Sequence, residues 1–262
     1  MLREEEKMHF AAALHTETGP YREKNEDSML LMQADSSCGQ VVMACVCDGM
    51  GGLERGEAAS AAVVRTMRDW FAERLPGLLA GGLEGQEIRR QWREAAACAD
   101  RRIAAYGHRN GIELGTTCAL LLIAADHYFW MNIGDSRIYR LSDPVCRLTA
   151  DQTWVRREVE LGHLTEREAV VHPRRNMLLQ CIGTGPAVRP DFGEGEAARG
   201  QVFLVCSDGF WHEVTEEEAA LRLRSRDLTR TEVLEGILSD LSAVCLERGE
   251  RDNISAILIS TA

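Results

Sequence analysis

Runs of apolar residues recur along the chain, each broken by an acid or a glycine, and they predict a largely β core. Phe10 to Leu14 is one such run and Met29 to Met32 another, with a polar loop from Thr16 to Asp27 between them. Val41 to Cys47 is apolar throughout and breaks into Asp48-Gly49-Met50-Gly51-Gly52. An apolar, partly β-branched run bounded by a turn signal predicts a strand buried on both faces. Thr116 to Ala124 and His127 to Leu141 predict two or three more strands joined by tight turns. Val202 to Cys206, followed by Ser207-Asp208-Gly209, nearly repeats the Val41 to Gly52 pattern, and Ile254 to Ile259 closes the series behind Arg251-Asp252-Asn253.

Elsewhere the apolar period lengthens to that of a helix. Ala59, Val63, Met67, Trp70, Phe71 and Leu75 share one stripe across residues 57–75, and Pro76-Gly77 is the expected stop. Ile88, Trp92, Ala95, Ala96, Ala99, Ile103 and Tyr106 form a second stripe, with Gly107 near its end. Two such helices in succession predict an antiparallel pair packed on a sheet. A third helix is expected over 231–246, closed by Gly249. Residues 149–185 differ: charges are dense, Pro173 interrupts, and only Glu166 to Val171 reads as a short helix. That stretch is expected to be an insert on the sheet. No fixed-period repeat, low-complexity tract or long linker divides the chain, so a single domain over 1–262 is the economical reading.

Composition narrows the picture. With 262 residues and 45% hydrophobic content the chain can bury a substantial core. No stretch of about 18 uncharged apolar residues is present, and the N-terminus lacks the apolar centre of a signal peptide, which predicts a cytoplasmic protein without a membrane partner. A formal net charge of −11 argues against a nucleic-acid partner, whose phosphates demand surplus basic surface. The nine cysteines show no Cys-x-x-Cys spacing and several sit in apolar runs, so buried reduced thiols are expected rather than a zinc site or disulfides. The seven histidines show no metal-ligand spacing and are expected at the surface or in loops.

The candidate chemistry lies in the acids. Asp27, Asp48, Asp135, Asp208 and Asp252 all stand at borders of predicted strands. Aspartate is a poor strand residue, so this placement either makes turns or builds a site. Carboxylates brought together raise one another's pKa, and a hard divalent cation is the usual compensation. Oxygen ligands without paired His or Cys select Mg2+ or Mn2+, and two such ions about 4 Å apart can polarise a phosphoryl group for in-line attack.

A wider set of motifs resembles the metal-dependent serine/threonine protein phosphatases (PPM, or type 2C) in their compact bacterial form. It comprises Gly19-x-x-Arg22-x-x-Asn25-Glu26-Asp27, Asp48 to Gly52, Gly115-Thr116-Thr117, Ile133-Gly134-Asp135-Ser136-Arg137, Leu161-Gly162-x-Leu164-Thr165, His172-Pro173-x-Arg175-Asn176, Ser207-Asp208-Gly209 and Asp252-Asn253-Ile254. The resemblance covers nearly the whole chain. It implies an α+β fold, with a β-sandwich of two antiparallel sheets flanked by helices and a binuclear metal site at one end. It also implies hydrolysis of phosphoserine and phosphothreonine by a hydroxide bridging two Mn2+ or Mg2+ ions.

By the same resemblance, Asp48 would bridge both ions, the Gly49 carbonyl would bind the second, and Asp208 and Asp252 would hold the first. Asp27 would act mainly through metal-bound water, Asp135 would join Asp208 at a third, weaker site, and Arg22 would grip the substrate phosphate. Residues 151–185 would form a flap beside the cleft. A monomer opposing a bacterial serine/threonine kinase and acting on that kinase's phosphorylated protein targets is the implied role in signalling. Four positions depart from the pattern: Glu17 replaces the usual Asp, Gln152-Thr153 replaces His-Ser, and Met50 stands where eukaryotic members carry a histidine proposed as general acid. A non-catalytic relative binding a partner through the cleft, and a hydrolase of small phosphorylated metabolites, are the competing readings.

Overall fold

Two five-stranded sheets stack face to face, because each carries a set of alternating apolar residues that the other covers. The structure, a computed structural model, describes residues 8–36, 39–51, 55–184, 187–224 and 226–262. In chain order its strands are β1 (Phe10–Glu17), β2 (Ser28–Ser36), β3 (Gly39–Cys47), β4 (Gly49–Gly51), β5 (Leu114–Thr116), β6 (Cys118–Ala124), β7 (His127–Ile133), β8 (Arg137–Arg140), β9 (Cys146–Arg147), β10 (Asp191–Glu196), β11 (Val202–Cys206) and β12 (Ile254–Thr261). The helices are α1 (Gly56–Glu73), α2 (Leu75–Gly81), α3 (Gly85–Asn110), α4 (Trp154–Glu160), α5 (Glu166–Val171), α6 (Asp208–Trp211), α7 (Glu216–Leu223) and α8 (Thr231–Arg248). One sheet has the order β1-β12-β11-β8-β9 and the other β10-β7-β6-β3-β2, while β4 and β5 form a two-stranded ribbon.

Val42, Ala44 and Val46 of β3 and Leu121 and Ile123 of β6 meet Phe203, Val205, Ile257 and Ile259 between the sheets. The alternate residues of β3, Val41, Met43, Cys45 and Cys47, face outward onto α1 and α3. Helices α6, α7 and α8 cover the outer face of the other sheet, completing four layers in the order α-β-β-α. Burial on both faces is why β3 and β6 read as unbroken apolar runs rather than alternating ones. Antiparallel pairing also sets where the loops fall: β1, β3, β7 and β11 end, and β2, β6, β8 and β12 begin, at one end of the sandwich.

Several elements differ from the sequence expectation. Pro76 does not simply stop a helix: it falls in the first turn of α2, where a missing N–H costs nothing. Helix α3 runs through Gly107 to Asn110 and is capped by Gly111 at φ 65°. Gly107 answers a close approach instead, since a Cβ there would lie 2.7 Å from the Ile112 carbonyl oxygen. Gly249 caps α8 in the left-handed conformation, as expected. The Asp48-Gly49 turn continues as β4, which pairs with β5. Helices α4, α6 and α7 and strand β10 were not expected, whereas α5 matches its predicted span. Cys38 and Gly52 lie outside the described residues, and among those described no helix is long and apolar enough to cross a membrane.

Candidate active site

Asp48 leaves the end of β3 with its backbone clamped. Its amide donates to Thr117 Oγ1 at 2.9 Å, and its carbonyl accepts from the Thr117 amide and from Thr116 Oγ1, each at 2.9 Å. The two adjacent hydroxyls therefore explain the Gly115-Thr116-Thr117 motif. The next residue must be glycine, because a Cβ on Gly49 would strike the carbonyl oxygens of Glu26 and Gly56.

The loop before β2 is tied down by side chains. Asn25 Oδ1 accepts the Asp27 amide at 3.0 Å, an Asx turn that aims the aspartate inward. Asp27 Oδ2 accepts from Ser207 Oγ at 2.9 Å, just behind the cleft wall. Asn253 Nδ2 donates to the Thr18 and Lys24 carbonyls at 3.0 and 3.1 Å, and its Oδ1 accepts the Glu26 amide at 2.9 Å. Asn253 thus fixes the loop carrying Arg22, whose Nη2 donates to Asp252 Oδ2 at 2.6 Å. Glu26, to which the sequence reading gave no role, accepts the Gly56 amide at 2.8 Å and secures the start of α1.

On the other sheet, Asp208 opens α6 instead of a turn and strand, so it is only a partial copy of Asp48. Its Oδ1 is buried without a hydrogen-bond partner among the described residues, while Oδ2 lies 3.9 Å from His212 Nε2. His212 Nδ1 is in turn 3.4 Å from Glu250 Oε2. The histidines were expected at the surface or in loops; His212 is exposed in the turn after α6, and its ring still reaches Asp208 at an i,i+4 spacing. The Asp135 carbonyl accepts from Trp211 Nε1 at 3.0 Å, and the Arg137 guanidinium lies 3.4 Å from the Trp211 ring centre. Arg137 then forks onto Asp151 at 2.8 and 2.7 Å, linking the site to the root of segment 151–184. Gln152, one of the departures from the family pattern, accepts the Gly134 amide at 2.8 Å and donates to Asp191 at 2.8 Å, so it anchors that root to the sheet. Thr153 caps α4.

Asp48, Asp135, Asp208 and Asp252 line one cleft of 580 Å³ with Arg22 at its mouth. Burial, reinforced by Asp208 and Asp27, raises the Asp48 carboxyl well above the usual carboxylate range. Burial likewise pushes Asp135 up to about 8, with help from Asp208 and Asp151. It pushes Asp27 up to about 7 against the opposing hydroxyls of Ser255 and Ser207. Asp208 is raised by burial despite the nearby His212. Such a cluster is short of positive charge.

Among the described residues, no three of these carboxylates bring oxygens within 4.8 Å of one another. The oxygen-only donor set and the orphaned Asp208 Oδ1 fit hard divalent ions. A larger groove of 1070 Å³ adjoins the cleft, sharing Arg22, Asn176 and Asp252 with it. Val155, Val159 and Val170 line that groove together with Tyr21, Trp211 and Arg251.

A family model described as Protein phosphatase 2C matches residues 22–258. The serine/threonine phosphatase stp of Listeria monocytogenes is 30% identical over 253 residues, covering 95% of this chain and 94% of the relative. The structure of the S. agalactiae serine/threonine phosphatase superposes with a TM-score of 0.83 at 30% identity, covering 96% of this chain and 99% of that one. The catalytic domain of the phosphatase PstP in complex with two manganese ions superposes with a TM-score of 0.79 at 26% identity, covering 98% of this chain and 100% of that one.

Proposed function

We propose, from the premise that this chain belongs to the protein phosphatase 2C family and is a serine/threonine phosphatase, that it hydrolyses phosphoserine and phosphothreonine by in-line attack of water activated between two Mn2+ or Mg2+ ions. The observation that carries the reading is the convergence of Asp48, Asp135, Asp208 and Asp252 on one cleft, with a buried carboxylate oxygen that accepts no hydrogen bond from the described residues.

In this proposal Asp48 would serve both ions, Asp208 and Asp252 would hold the first, and the Gly49 carbonyl would hold the second. Asp27 orders water from behind, and Asp135 with Asp208 offers a third, weaker position. The ions, when bound, supply the charge that makes water nucleophilic and offsets the negative charge building on the phosphoryl oxygens. Arg22 is half-exposed at the cleft mouth and spends one donor on Asp252, leaving the rest of its fork for the substrate phosphate. No histidine lines the cleft among the described residues, and Met50 faces it instead, so the leaving oxygen takes its proton from water.

The single catalytic domain over 1–262, with 151–185 as a flap, belongs to the same proposal. Leu161, Val170, Val171, Met177 and Leu179 of that segment are exposed apolar side chains, and Val170 among them lines the groove, a surface suited to a polypeptide substrate. A partner kinase whose phosphorylation this enzyme reverses completes the reading.

The test is hydrolysis of a phosphothreonine peptide. Wild type should require Mn2+ or Mg2+, and Asp208→Asn should lose activity by roughly a hundred- to a thousandfold, the scale of a lost electrostatic group. Full activity in that variant would overturn the metal assignment, and preference for small phosphorylated metabolites over the peptide would overturn the substrate class.

A further inference from the structure

Three thiols meet in the core directly behind the acid cleft. Cys45 and Cys47 lie on the helix-facing side of β3, and Cys118 begins β6 opposite them. Cys45 Sγ is 3.6 Å from Cys47 Sγ and 3.8 Å from Cys118 Sγ, and all three sulfurs fall within 4.8 Å of one another. Each residue is fully buried, and among the described residues no carboxylate or imidazole joins the group. A trivalent atom capping the three sulfurs from above their plane, with bonds near the roughly 2.3 Å of a metal–thiolate bond, would need these separations to draw in only slightly.

Charge decides what such a site accepts. Zinc would leave a net negative three-thiolate complex lacking its fourth ligand, and Cu(I) would leave two negative charges, in an apolar layer where an uncompensated charge is costly. A trivalent metalloid leaves none. Arsenite, As(OH)3, is also a neutral solute near neutral pH, so it can reach a dry core that a hydrated cation enters only at the cost of its water shell.

We propose that Cys45, Cys47 and Cys118 form a three-thiol site for a trivalent metalloid of the arsenite or antimonite class. The reaction balances without an oxidant: three S–H bonds and three As–O bonds break, three As–S bonds form, and three waters leave. The site also reaches the cleft. Cys47 precedes Asp48, and Cys118 follows Thr117, whose amide and hydroxyl hold the Asp48 backbone. A bound metalloid therefore ties together the two strand ends that carry the central acid and slows turnover.

The test first blocks accessible thiols, such as the exposed Cys98, with N-ethylmaleimide on the folded protein, and then adds arsenite. Native mass spectrometry should show one added arsenic less three hydrogens per chain. The adduct should fall at least tenfold in Cys45→Ala and Cys118→Ala. Arsenic K-edge absorption on the wild-type protein needs no variant to fold and should read three sulfurs and no oxygen around the metalloid. No adduct, an adduct that survives Cys118→Ala, or a shell containing oxygen would overturn the site. Phosphatase turnover unchanged by a complete adduct would overturn the coupling to Asp48. Adduct formation is read without any activity, so its failure is distinct from failure of the phosphatase reading.

Discussion

Replacing Gly49 with alanine probes the cleft with a single methyl group. The added carbon would sit 2.5 Å from the Gly56 carbonyl carbon and closer still to the carbonyl oxygens of Glu26 and Gly56. None of these is the movable end of a side chain. The Glu26 carbonyl accepts Ser60 Oγ at 2.6 Å, and the Glu26 carboxylate accepts the Gly56 amide at 2.8 Å, so relief requires shifting the start of β2 against α1. Overpacking of this kind costs about 1–3 kcal/mol, and backbone atoms on two sides place Gly49→Ala near 3 kcal/mol. At about 2–4 °C per kcal/mol for a chain of this size, the melting temperature should fall by roughly 6–12 °C. Gly236 supplies the control: it lies within α8 with nothing within 4 Å of an added Cβ, and alanine there should stabilise by about 0.5–1 kcal/mol. Thermal unfolding with and without Mn2+, together with the Mn2+ concentration for half-maximal hydrolysis, reads both effects. A Gly49→Ala protein with wild-type melting and wild-type Mn2+ dependence would refute the close approach and the role given to the Gly49 carbonyl.

Three further outcomes are expected. Arg137→Ala leaves the largely buried Asp151 with Arg147 at 3.4 Å as its one cationic partner among the described residues and removes the stack on Trp211, so it should cost about 3 kcal/mol in a urea titration; Arg137→Lys keeps the charge but not the fork, and should fall between the two. In the metal-free protein, Asp27 and Asp135 are raised to about 7 and about 8, so the folded state holds more protons than the unfolded state above their ordinary values. Stability in EDTA should therefore fall as pH rises from about 4 to about 8, and Mn2+ should stabilise most at the upper end; a melting temperature flat across that window would contradict the clustered acids. Arg22→Ala should lower kcat/KM for a phosphopeptide by roughly 10- to 100-fold, the worth of a hydrogen bond to a charged group, while freeing Asp252 and thereby lowering the Mn2+ requirement.

Much of this architecture was legible because burial on both faces leaves an unmistakable apolar run, and an aspartate that ends such a run stands out. That logic located Asp48, Asp208 and Asp252 at strand borders, and the structure brings them to one cleft. What escaped is local and polar. Strand β10 reads Asp-Phe-Gly-Glu-Gly-Glu, a poor strand by propensity, yet Gly193 and Gly195 pair directly with Trp130 and Tyr128, whose rings lie over them in the space that a Cβ would fill. Helix α7 did announce itself, through the capping box of Thr215 and Glu218, but it is too short to show a clear period. Glu26 and Asn253 act through contacts between segments far apart in sequence, and no local pattern marks such partners; His212 pairs locally with Asp208 but also reaches Glu250 from a distant segment. The thiol cluster is hidden for the same reason: Cys45 and Cys118 are 73 residues apart, and only strand register brings them together.

The central claim is that the acids at the end of the sandwich hold a pair of divalent ions with Asp48 between them. Anomalous diffraction at the manganese edge, from crystals of this protein soaked in Mn2+, tests it most directly. The account predicts two peaks in the cleft that share Asp48 as a neighbour, with Asp208 and Asp252 beside one and the Gly49 carbonyl beside the other. A saturating soak that leaves the cleft without anomalous signal, or that places manganese away from Asp48, would contradict it.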